Sequence, residues 1–479
     1  MDQEAAFSER GLFWWSDDKI PADAFAPPES RFGSLTIDTS GVANLELDGL
    51  LGGVSVIFGH VKPELDLPNK SIVGKLRNSG QYCVLSKLRP NGGRLGGTNL
   101  SFERWQAHQT IITPILDSAN KVEGVYFPLN DYREWLWLRS IRVEGNRNDF
   151  KLSYECPPAD QFPLVDGELT VVYECRFPTF GKQTSEFSAI EEAEIVRTFS
   201  NAISVFEAIK EYERICDFFR LITGVHGQFP WPTIKLSTTQ RATVYYSRFE
   251  AAPVKYERRE AWLSYGQIRD NLGCLYSQFV EHQTQLDTTF YLFLSNLRGL
   301  QVYTEHKFIG LIWGLEALHR QQHRDCQPVG NEGAKIQEKV DRILSQIERE
   351  RDKKWARKIL IRAADMSLEH RLRDILEVLP VDYTRSNFLK FTKDCADKRN
   401  SISHHGGVRP GEDYSDFAED LAMRTNVLMV LYRATLLKLI GVSDLFIKRY
   451  FDEGPKSCWI AEVFGHFELV KSAKAVDDQ

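Results

Sequence analysis

The spacing of apolar residues divides the chain into two parts. From about residue 30 to residue 190, short runs alternate apolar and polar positions and end in turn residues, as half-buried β-strands do. Residues 33–49 predict a hairpin, because two alternating runs flank the turn sequence Thr39-Ser40-Gly41. Further strands are predicted at 54–61, 82–88, 135–144, 150–156 and 168–177. The first part is therefore predicted to be an antiparallel, β-rich module.

The apolar period changes near residue 190. Apolar residues then recur at spacings of three, four and seven, which predicts one long amphipathic helix over 190–222. The residues of this stripe are Ile195, Phe199, Ile203, Phe206, Ile209, Cys216 and Phe219. Alternation returns briefly at 232–249, and it predicts either a second small sheet or a strand pair that completes the first.

After about residue 270, helical spacing fills the chain to about residue 451. The predicted helices include 308–321, 334–347, 386–405 and 416–441, and Gly441 is the expected stop of the last one. The predicted fold class is α+β, with an antiparallel β-rich N-terminal module followed by an all-α helical bundle. The predicted divisions are 1–189 for the β-rich module, 190–270 for a connecting helix and short strands, 271–455 for the helical domain and 456–479 for the tail.

Composition narrows the class of protein. A chain of 479 residues, 42% hydrophobic and 26% charged, has the composition of a globular protein with more than one core. No apolar run reaches the roughly 18 residues of a membrane span, and the first residues lack the pattern of a secretory signal. A cytoplasmic protein without a membrane partner is expected. The eight cysteines form no C-x-x-C pair, which argues against a zinc ribbon or a disulfide framework.

The charge is unevenly distributed. The formal net charge is −6, yet residues 351–400 contain 13 lysines and arginines against 8 aspartates and glutamates. A local basic patch can attract phosphates even on an acidic chain. The candidate RNA-binding residues are Lys353, Lys354, Arg357, Lys358 and Lys398. The alternative for the run at 353–362 is a solvated helical hairpin whose charges pair with one another.

The segment DKRNSISHHGG, residues 397–407, carries the candidate chemistry. On an ideal helix the apolar residues of 386–405 share one face, and Arg399 lies about 20° beyond Phe388. The apolar set is Phe388, Phe391, Cys395 and Ile402. Arg399 is therefore expected to point toward the packed side, where a guanidinium needs an anion. That anion is either an internal carboxylate, with Glu316 as the candidate, or a phosphate.

Two histidines end the same predicted helix. His404 and His405 precede Gly406-Gly407, and the negative end of the helix dipole favours an imidazolium there, which suits proton transfer. Helical geometry places His404 roughly 140° from Arg399 and His405 about 120° away on the other side. Either residues 400–403, which are poor helix formers, unwind locally, or two chains assemble the site across a twofold axis.

These residues carry a family resemblance. Arg399-Asn400-xxx-His404 resembles the R-x4–6-H motif of HEPN ribonucleases, in the form with a polar residue after the arginine. The segment FIGLIWGLEAL, residues 308–318, resembles the family helix pattern f-x-x-l-x-x-a-l-E. The order of a β-rich module followed by such a helical domain is similar to that of ApeA, a family of bacterial anti-phage defence proteins.

The resemblance implies a metal-independent endoribonuclease that acts as an abortive-infection toxin, without a cofactor. It implies that the ribose 2′-OH attacks the adjacent phosphate and leaves a 2′,3′-cyclic phosphate and a 5′-OH. An RNA substrate such as tRNA or mRNA, a homodimer or higher homo-oligomer formed through the HEPN domain, and an unidentified phage trigger are also implied. The N-terminal module is expected to sense that trigger or to regulate the ribonuclease.

The residue types suit this chemistry. A histidine that titrates near neutral pH can take and return the protons, and a forked guanidinium can meet two oxygens of the phosphorane. Asn400 is expected to orient the histidine or to bind phosphate. His405 is the alternative catalytic histidine, because an R-x5-H motif is also permitted, although the R-N-xxx-H form favours His404.

Three other interpretations stay open at this point. Arg399 paired with Glu316 and His404 acting as a polar cap would make the segment a structural helix end. The whole chain would then be a non-catalytic nucleotide-binding or dimerisation scaffold with a β-rich binding module. A carbohydrate-binding sandwich with a helical appendage is the third.

One metal-binding pattern also needs an explanation. His319, His323 and Cys326 have spacings that place three potential ligands on one helical face. No fourth ligand lies nearby and the segment runs into a loop, so a solvated helix end is predicted and no metal site.

Overall fold

A computed structural model of the chain shows two units. It describes residues 5–54, 70–96, 100–116, 121–137, 140–146, 149–176, 190–237, 240–249, 261–299, 303–323, 331–363, 366–405, 407 and 413–470. One unit comprises Met1–Asp217 and Gly227–Tyr256, and the other comprises Phe218–His226 and Glu257–Gln479. The domain boundaries predicted from the apolar period remain predictions.

The first unit is built around one antiparallel sheet of twelve strands and a separate two-stranded ribbon. The strands are β1 (Phe7–Trp15), β2 (Arg31–Ile37), β3 (Ala43–Asp48), β4 (Ile72–Leu76), β5 (Tyr82–Arg94), β6 (Phe102–Thr113), β7 (Lys121–Pro128), β8 (Ile141–Asn146), β9 (Asp149–Tyr154), β10 (Asp160–Leu164), β11 (Gly167–Arg176), β12 (Ile190–Ser204), β13 (Thr233–Ser237) and β14 (Gln240–Tyr246). The ribbon is β8 paired with β9.

Strands β1 to β6 close on themselves into a barrel. Their order is β6-β3-β2-β1-β4-β5, and β5 pairs again with β6. Inward side chains such as Phe13, Leu45 and Trp105 form one buried apolar cluster. Buried and exposed residues alternate along β2 and β3, which bury one face, whereas β1 and β6 also bury residues of the other face, such as Trp14 and Ile111. The turn between β2 and β3 uses Gly41 at φ +83°, where an added Cβ would collide with the carbonyl oxygen of Tyr246.

From β6 the sheet continues through β14, β13, β7, β12 and β11 to β10. The strand pair predicted at 232–249 is therefore β13 and β14, and it completes the first sheet. The alternative prediction, a second small sheet formed by residues 232–249, is wrong. The strands predicted at 33–49, 82–88, 150–156 and 168–177 are confirmed in the described residues.

The helix predicted over 190–222 is wrong in its first half. Residues 190–204 form β12, which pairs with β11 on one side and β7 on the other. The helix α2 (Val205–Thr223) begins only after Ser204, whose side chain and backbone exchange hydrogen bonds with Glu207. This Ser-x-x-Glu capping box marks a helix start that apolar spacing alone did not show. Over residues 190–204, backbone pairing with a neighbouring strand on each side outweighs the helical preference that the apolar spacing indicates.

The strand predicted over 135–144 is also partly wrong. Residues Arg133–Leu136 form a short helix, α1, and β8 begins at Ile141. Trp135 is fully buried, and the left-handed backbone of Trp137 ends the helical turn. Of the predicted strand at 54–61, residues 55–61 lie outside the described part of the chain.

The described residues of the second unit form helices, apart from an isolated bridge between Tyr383 and Val470. Its helices are α3 (Tyr265–Ile268), α4 (Leu272–Gln285), α5 (Asp287–Leu297), α6 (Thr304–Gln322), α7 (Asn331–Ser345), α8 (Glu350–Ala363), α9 (Leu368–Glu377), α10 (Arg385–His405), α11 (Tyr414–Leu439), α12 (Asp444–Glu453) and α13 (Ser457–Gly465). The α+β class, sheet-rich first and helical afterwards, is confirmed. None of the helices described is both long and apolar enough to span a bilayer.

Helices α6 and α11 form the centre of this unit. Leu311, Ile312 and Leu315 of α6 are buried, as are Leu428 and Leu431 of α11. Gly441 follows α11 with φ +98°, and its N–H bonds back to the carbonyl of Lys438 at 3.0 Å, so the predicted C-terminal stop is confirmed.

Two glycines of α6 give a matched test of this packing. A Cβ at Gly314 would collide with the hydroxyl oxygen of Tyr432, which donates a 2.7 Å hydrogen bond to the carbonyl of Thr289. We expect Gly314→Ala to lower the free energy of unfolding by about 2 kcal/mol, because the buried hydroxyl must move.

The control is Gly310→Ala, where no described atom beyond the local helix backbone lies within 4 Å of an added Cβ. There the better helix propensity of alanine should raise stability by up to about 1 kcal/mol. Thermal and urea unfolding of both variants give the comparison. Equal stability of the two would contradict the close packing of α6 on α11.

Candidate active site at the end of helix α10

The buried face of α10 fixes the direction of its polar residues. Phe388, Phe391 and Cys395 are each no more than 2% exposed. The ring of Phe388 stacks on Tyr383 with centroids 4.3 Å apart. Burial raises the pKa of Cys395 to about 12, so the thiol stays protonated and apolar in character. Ile402, the fourth residue of the predicted apolar set, is half-buried.

Arg399 lies one turn beyond Cys395 with its side chain 25% exposed. Its Nη1 donates to Oδ1 of Asn400 at 3.0 Å, and its Nη2 lies 3.4 Å from Oε2 of Glu316 on α6. The Nε is buried and has no hydrogen-bond partner among the described residues. The guanidinium is therefore held on the packed side, as its helical position predicts, but only partly satisfied and not sealed from solvent.

Glu316 is shared between two arginines. Arg320 contacts Oε1 of Glu316 with its Nε at 3.1 Å and its Nη2 at 2.8 Å, one turn along the same helix. These two contacts are shorter than the 3.4 Å contact from Arg399. Both contacts of Arg320 go to Oε1, so Arg399 meets the other oxygen, Oε2, and at 3.4 Å that contact is long for a charge-assisted hydrogen bond. Glu316 therefore holds Arg399 weakly.

His404 lies on the last turn of α10 and is exposed. Helix α10 is continuous through residues 400–403, so the local unwinding considered from the sequence is not present. Five helical steps of about 100° leave His404 roughly 140° around the axis from Arg399. Within one chain, the two side chains leave the helix in different directions.

The end of α10 is anchored by Ser401. The buried hydroxyl of Ser401 donates to the carbonyl of Gly407 at 3.1 Å, and Gly407 adopts φ +123°. Asn400 is exposed beside this anchor. The side chain of His405, the alternative catalytic histidine, lies outside the described part of the structure.

Sequence reasoning missed the ionic cluster that ties α10 to α11. Arg424, 8% exposed, donates to Asp420 at 2.9 Å and to Asp394 at 3.5 Å. Lys398 lies 2.8 Å from Asp420. Burial opposes ionisation of Asp420, but hydrogen bonds from Arg424 and Lys398 outweigh it and hold the pKa of Asp420 below its usual value. The only sequence signal was the Asp420–Arg424 spacing of four on a predicted helix.

The predicted RNA-binding lysines and arginines fall into two groups. Lys398 is engaged by Asp420 and also lies 5.0 Å from the ring of Phe417. Lys353, Lys354 and Arg357 lie on α8, which packs on α7 around a small apolar cluster of its own. Lys354 and Arg357 are exposed, whereas Lys353 is half-buried 3.6 Å from Glu350. The side chain of Lys358 lies outside the described part.

The two histidines at the end of α6 differ: His323, just past the last turn, is exposed, whereas His319 belongs to the core, so the predicted solvated helix end is wrong for His319. His319 is 2% exposed, accepts a 3.2 Å hydrogen bond from Arg371 and lies 3.5 Å from Asp374. Burial and the nearby His323 lower the pKa of His319. Cys326 lies outside the described residues, and among those described no three side chains are grouped to hold a metal ion.

Two family models, both of the ApeA family, match the chain. Residues 8–273 match the family model for ApeA N-terminal domain 1, and residues 309–445 match the model for the Apea-like HEPN domain. The first match alone spans more than half of the chain, and the second includes Glu316, Arg399 and His404. Searches of curated proteins and of solved structures gave no match.

The ionic cluster between α10 and α11 can be tested by its pH dependence. The folded-state pKa of Asp420 lies below the unfolded value of about 3.9. The ionised carboxylate therefore stabilises the fold above that pH, and this stabilisation is lost as the pH falls through the folded-state pKa. Asp420→Asn should lower stability at pH 7 by about 2 kcal/mol.

Thermal unfolding from pH 7 down to pH 2 provides the measurement. The wild-type and Asp420→Asn curves should converge at the acid end, where both side chains are neutral. Asp382→Asn is the control, because its exposed carboxylate pairs with Lys448 on the surface and should contribute little to stability. An Asp420→Asn protein as stable as wild type at pH 7 would show that the cluster does not hold the two helices together.

Proposed function

The chain belongs to the ApeA family, whose models match its N-terminal unit and its HEPN domain, and on that premise we propose that it is an anti-phage endoribonuclease. The observation that carries the proposal is the state of Arg399. Its guanidinium is three-quarters buried, contacts one carboxylate at 3.4 Å and has a buried Nε without a partner among the described residues. A phosphate that enters beside it would complete its hydrogen bonding.

The proposed reaction is a transesterification that needs no metal ion. The 2′ oxygen of a ribose attacks the adjacent phosphorus and gives its proton to the imidazole of His404, and the bond from phosphorus to the 5′ oxygen breaks. The 5′ oxygen takes that proton back from the imidazolium so formed, and the products are a 2′,3′-cyclic phosphate and a 5′-OH. Arg399 binds the oxygens of the phosphorane, and Asn400, which accepts from Arg399 at 3.0 Å, orients it.

We infer that the active site is shared by two copies of the chain. A straight α10 directs Arg399 and His404 roughly 140° apart, so one chain cannot bring both to one phosphate. A twofold axis near the end of α10 would place Arg399 beside His404 of the partner subunit. Trp313, 48% exposed and three residues before Glu316 on α6, supplies an apolar surface beside the site for such an interface.

The N-terminal unit is proposed to restrain the ribonuclease until a phage component is sensed, in the cytoplasm of the infected cell. An unregulated ribonuclease would destroy the RNA of its own host. The same reasoning makes loss of host viability the expected outcome of activation, which is abortive infection.

One observation favours the alternative of a non-catalytic scaffold. Arg399 contacts Glu316 of its own chain, and that contact could exist for stability alone. A scaffold requires neither a free guanidinium nor a histidine, so the two functions differ in the response to substitution of His404.

The first test is cleavage of total RNA by the purified full-length protein in EDTA. Arg399→Ala and His404→Ala should each lower the rate by roughly 100-fold or more, because each removes a group that acts in the transition state. Arg399→Lys should recover only part of the rate, since it keeps the charge and loses the fork. Sequencing and phosphatase treatment of the ends should show cyclic phosphate and 5′-OH.

Two control variants match these changes. Arg385→Ala removes an exposed arginine at the other end of α10, and His466→Ala removes an exposed histidine elsewhere in the helical unit. Both should cleave as the wild type does. His405→Ala decides between the two histidines. Cleavage that survives in both Arg399→Ala and His404→Ala would refute this site and favour the scaffold.

The second test asks whether two chains share the site. Arg399→Ala and His404→Ala, each inactive alone, should regain roughly a quarter of wild-type activity when mixed and allowed to exchange subunits. Half of the dimers would then be mixed, and each mixed dimer would hold one complete site out of two. Native mass spectrometry confirms the exchange. Mixed dimers without activity would contradict a shared site.

A further inference from the structure

Another guanidinium in the helical unit, that of Arg433, is buried without an anion among the described residues. Arg433 of α11 is 6% exposed, and its guanidinium carbon lies 5.2 Å from the ring centroid of Trp262 and 5.6 Å from that of Phe293. Its Nε is buried and has no hydrogen-bond partner among the described residues. Gly224, which ends α2, makes room for it, because a Cβ there would come within 2.6 Å of Nη1.

Other buried arginines of the protein have acceptors. Arg197 pairs with Asp166 and Glu211, and Arg424 pairs with Asp420 and Asp394. Among the described residues no carboxylate pairs with Arg433, although removing a charge from water is costly unless an opposite charge compensates. The cation–π interactions with the two aromatic rings offset only part of this desolvation cost.

The electrostatic surroundings of Arg433 are basic. Desolvation and the positive charges of Arg433, Lys456, Lys307 and Arg220 together lower the pKa of His226 to about 4. Desolvation also lowers the pKa of Arg433 to about 10, with the Tyr450 hydroxyl opposing it, so the guanidinium stays charged at neutral pH. His226, which is uncharged at neutral pH, is exposed, and the cations Lys307 and Lys456 are half-buried, so this group of side chains reaches solvent.

We propose that Arg433 is the floor of a binding site for a small phosphate-bearing ligand, with His226, Lys307 and Lys456 at its rim. A guanidinium binds phosphate oxygens in pairs, and several cations together favour a dianion over a singly charged carboxylate. The site does not depend on the proposed ribonuclease activity, since none of its residues belongs to the Arg399 site.

Titration calorimetry and thermal unfolding of the full-length protein test the proposal, at constant ionic strength set with chloride. Inorganic phosphate and AMP are the two probes, and each should bind and raise the Tm as its concentration increases. AMP that binds at least tenfold more tightly than phosphate identifies a nucleotide as the ligand. Equal affinity identifies the phosphate group itself as the recognised element.

Arg433→Met is the decisive variant, because methionine fills a similar volume without charge. It should abolish the phosphate-dependent rise in Tm, and in phosphate-free buffer its Tm should equal or exceed that of the wild type. Lys307→Glu, a change at the half-buried rim, should weaken binding by roughly tenfold or more even if Arg433→Met fails to fold. Lys390→Met removes one exposed positive charge elsewhere and should bind as the wild type does.

Two results would overturn the proposal. One is wild-type protein that shows neither heat nor a Tm shift with millimolar phosphate or AMP. The other is undiminished binding by Arg433→Met or, where that variant does not fold, by Lys307→Glu. Either result would mean that Arg433 has only a structural role, in packing against the rings of Trp262 and Phe293.

Discussion

The guanidinium of Arg399 lies between solvent and a carboxylate that holds it weakly. Its helix buries Phe388, Phe391 and Cys395, and the same face carries Arg399 to the packed side of the unit. A charge in that position must find an anion, and the contact of Arg399 with Oε2 of Glu316 is long, at 3.4 Å. Incomplete satisfaction of this one charge is the physical basis for expecting a phosphate at the end of α10.

The site needs a rigid frame because proton transfer and phosphate binding tolerate little displacement. The frame is the cluster of Asp394, Asp420 and Arg424, which joins α10 to α11, together with the close approach of α6 and α11 at Gly314. These contacts fix where Arg399 and Glu316 lie relative to each other. They do not bring His404 to Arg399 within one chain, so the same rigidity leads to the proposal of a shared site.

Local patterns in the sequence predicted what local forces decide. Alternation identified β2, β3 and β11 because one face of each strand is buried, and helical spacing placed Arg399 on the packed face of α10. Residues 190–204 were assigned to a helix because their apolar spacing fits both periods, and pairing with β7 and β11 selects the strand. The capping residues Ser204 and Glu207 carried the missing signal.

Long-range contacts could not be predicted in this way. Closure of the barrel by β5 and β6, and the ion pair between Asp394 and Arg424, join segments whose contact leaves no local pattern. Arg433, which pairs with no carboxylate of the described residues, likewise lies in a predicted helix, and nothing in the sequence distinguishes it from a solvated arginine. Burial of a charge is a property of the assembled unit, and for that reason both candidate anion sites became definite only with the coordinates.

The most direct measurement is an experimental structure of the full-length protein bound to an RNA whose scissile ribose lacks its 2′-OH. The account predicts a dimer in which the Nη atoms of Arg399 lie about 3 Å from the scissile phosphate and His404 of the partner subunit lies within reach of the 2′ position. An Arg399 that remains on Glu316, with the RNA bound elsewhere, would contradict it.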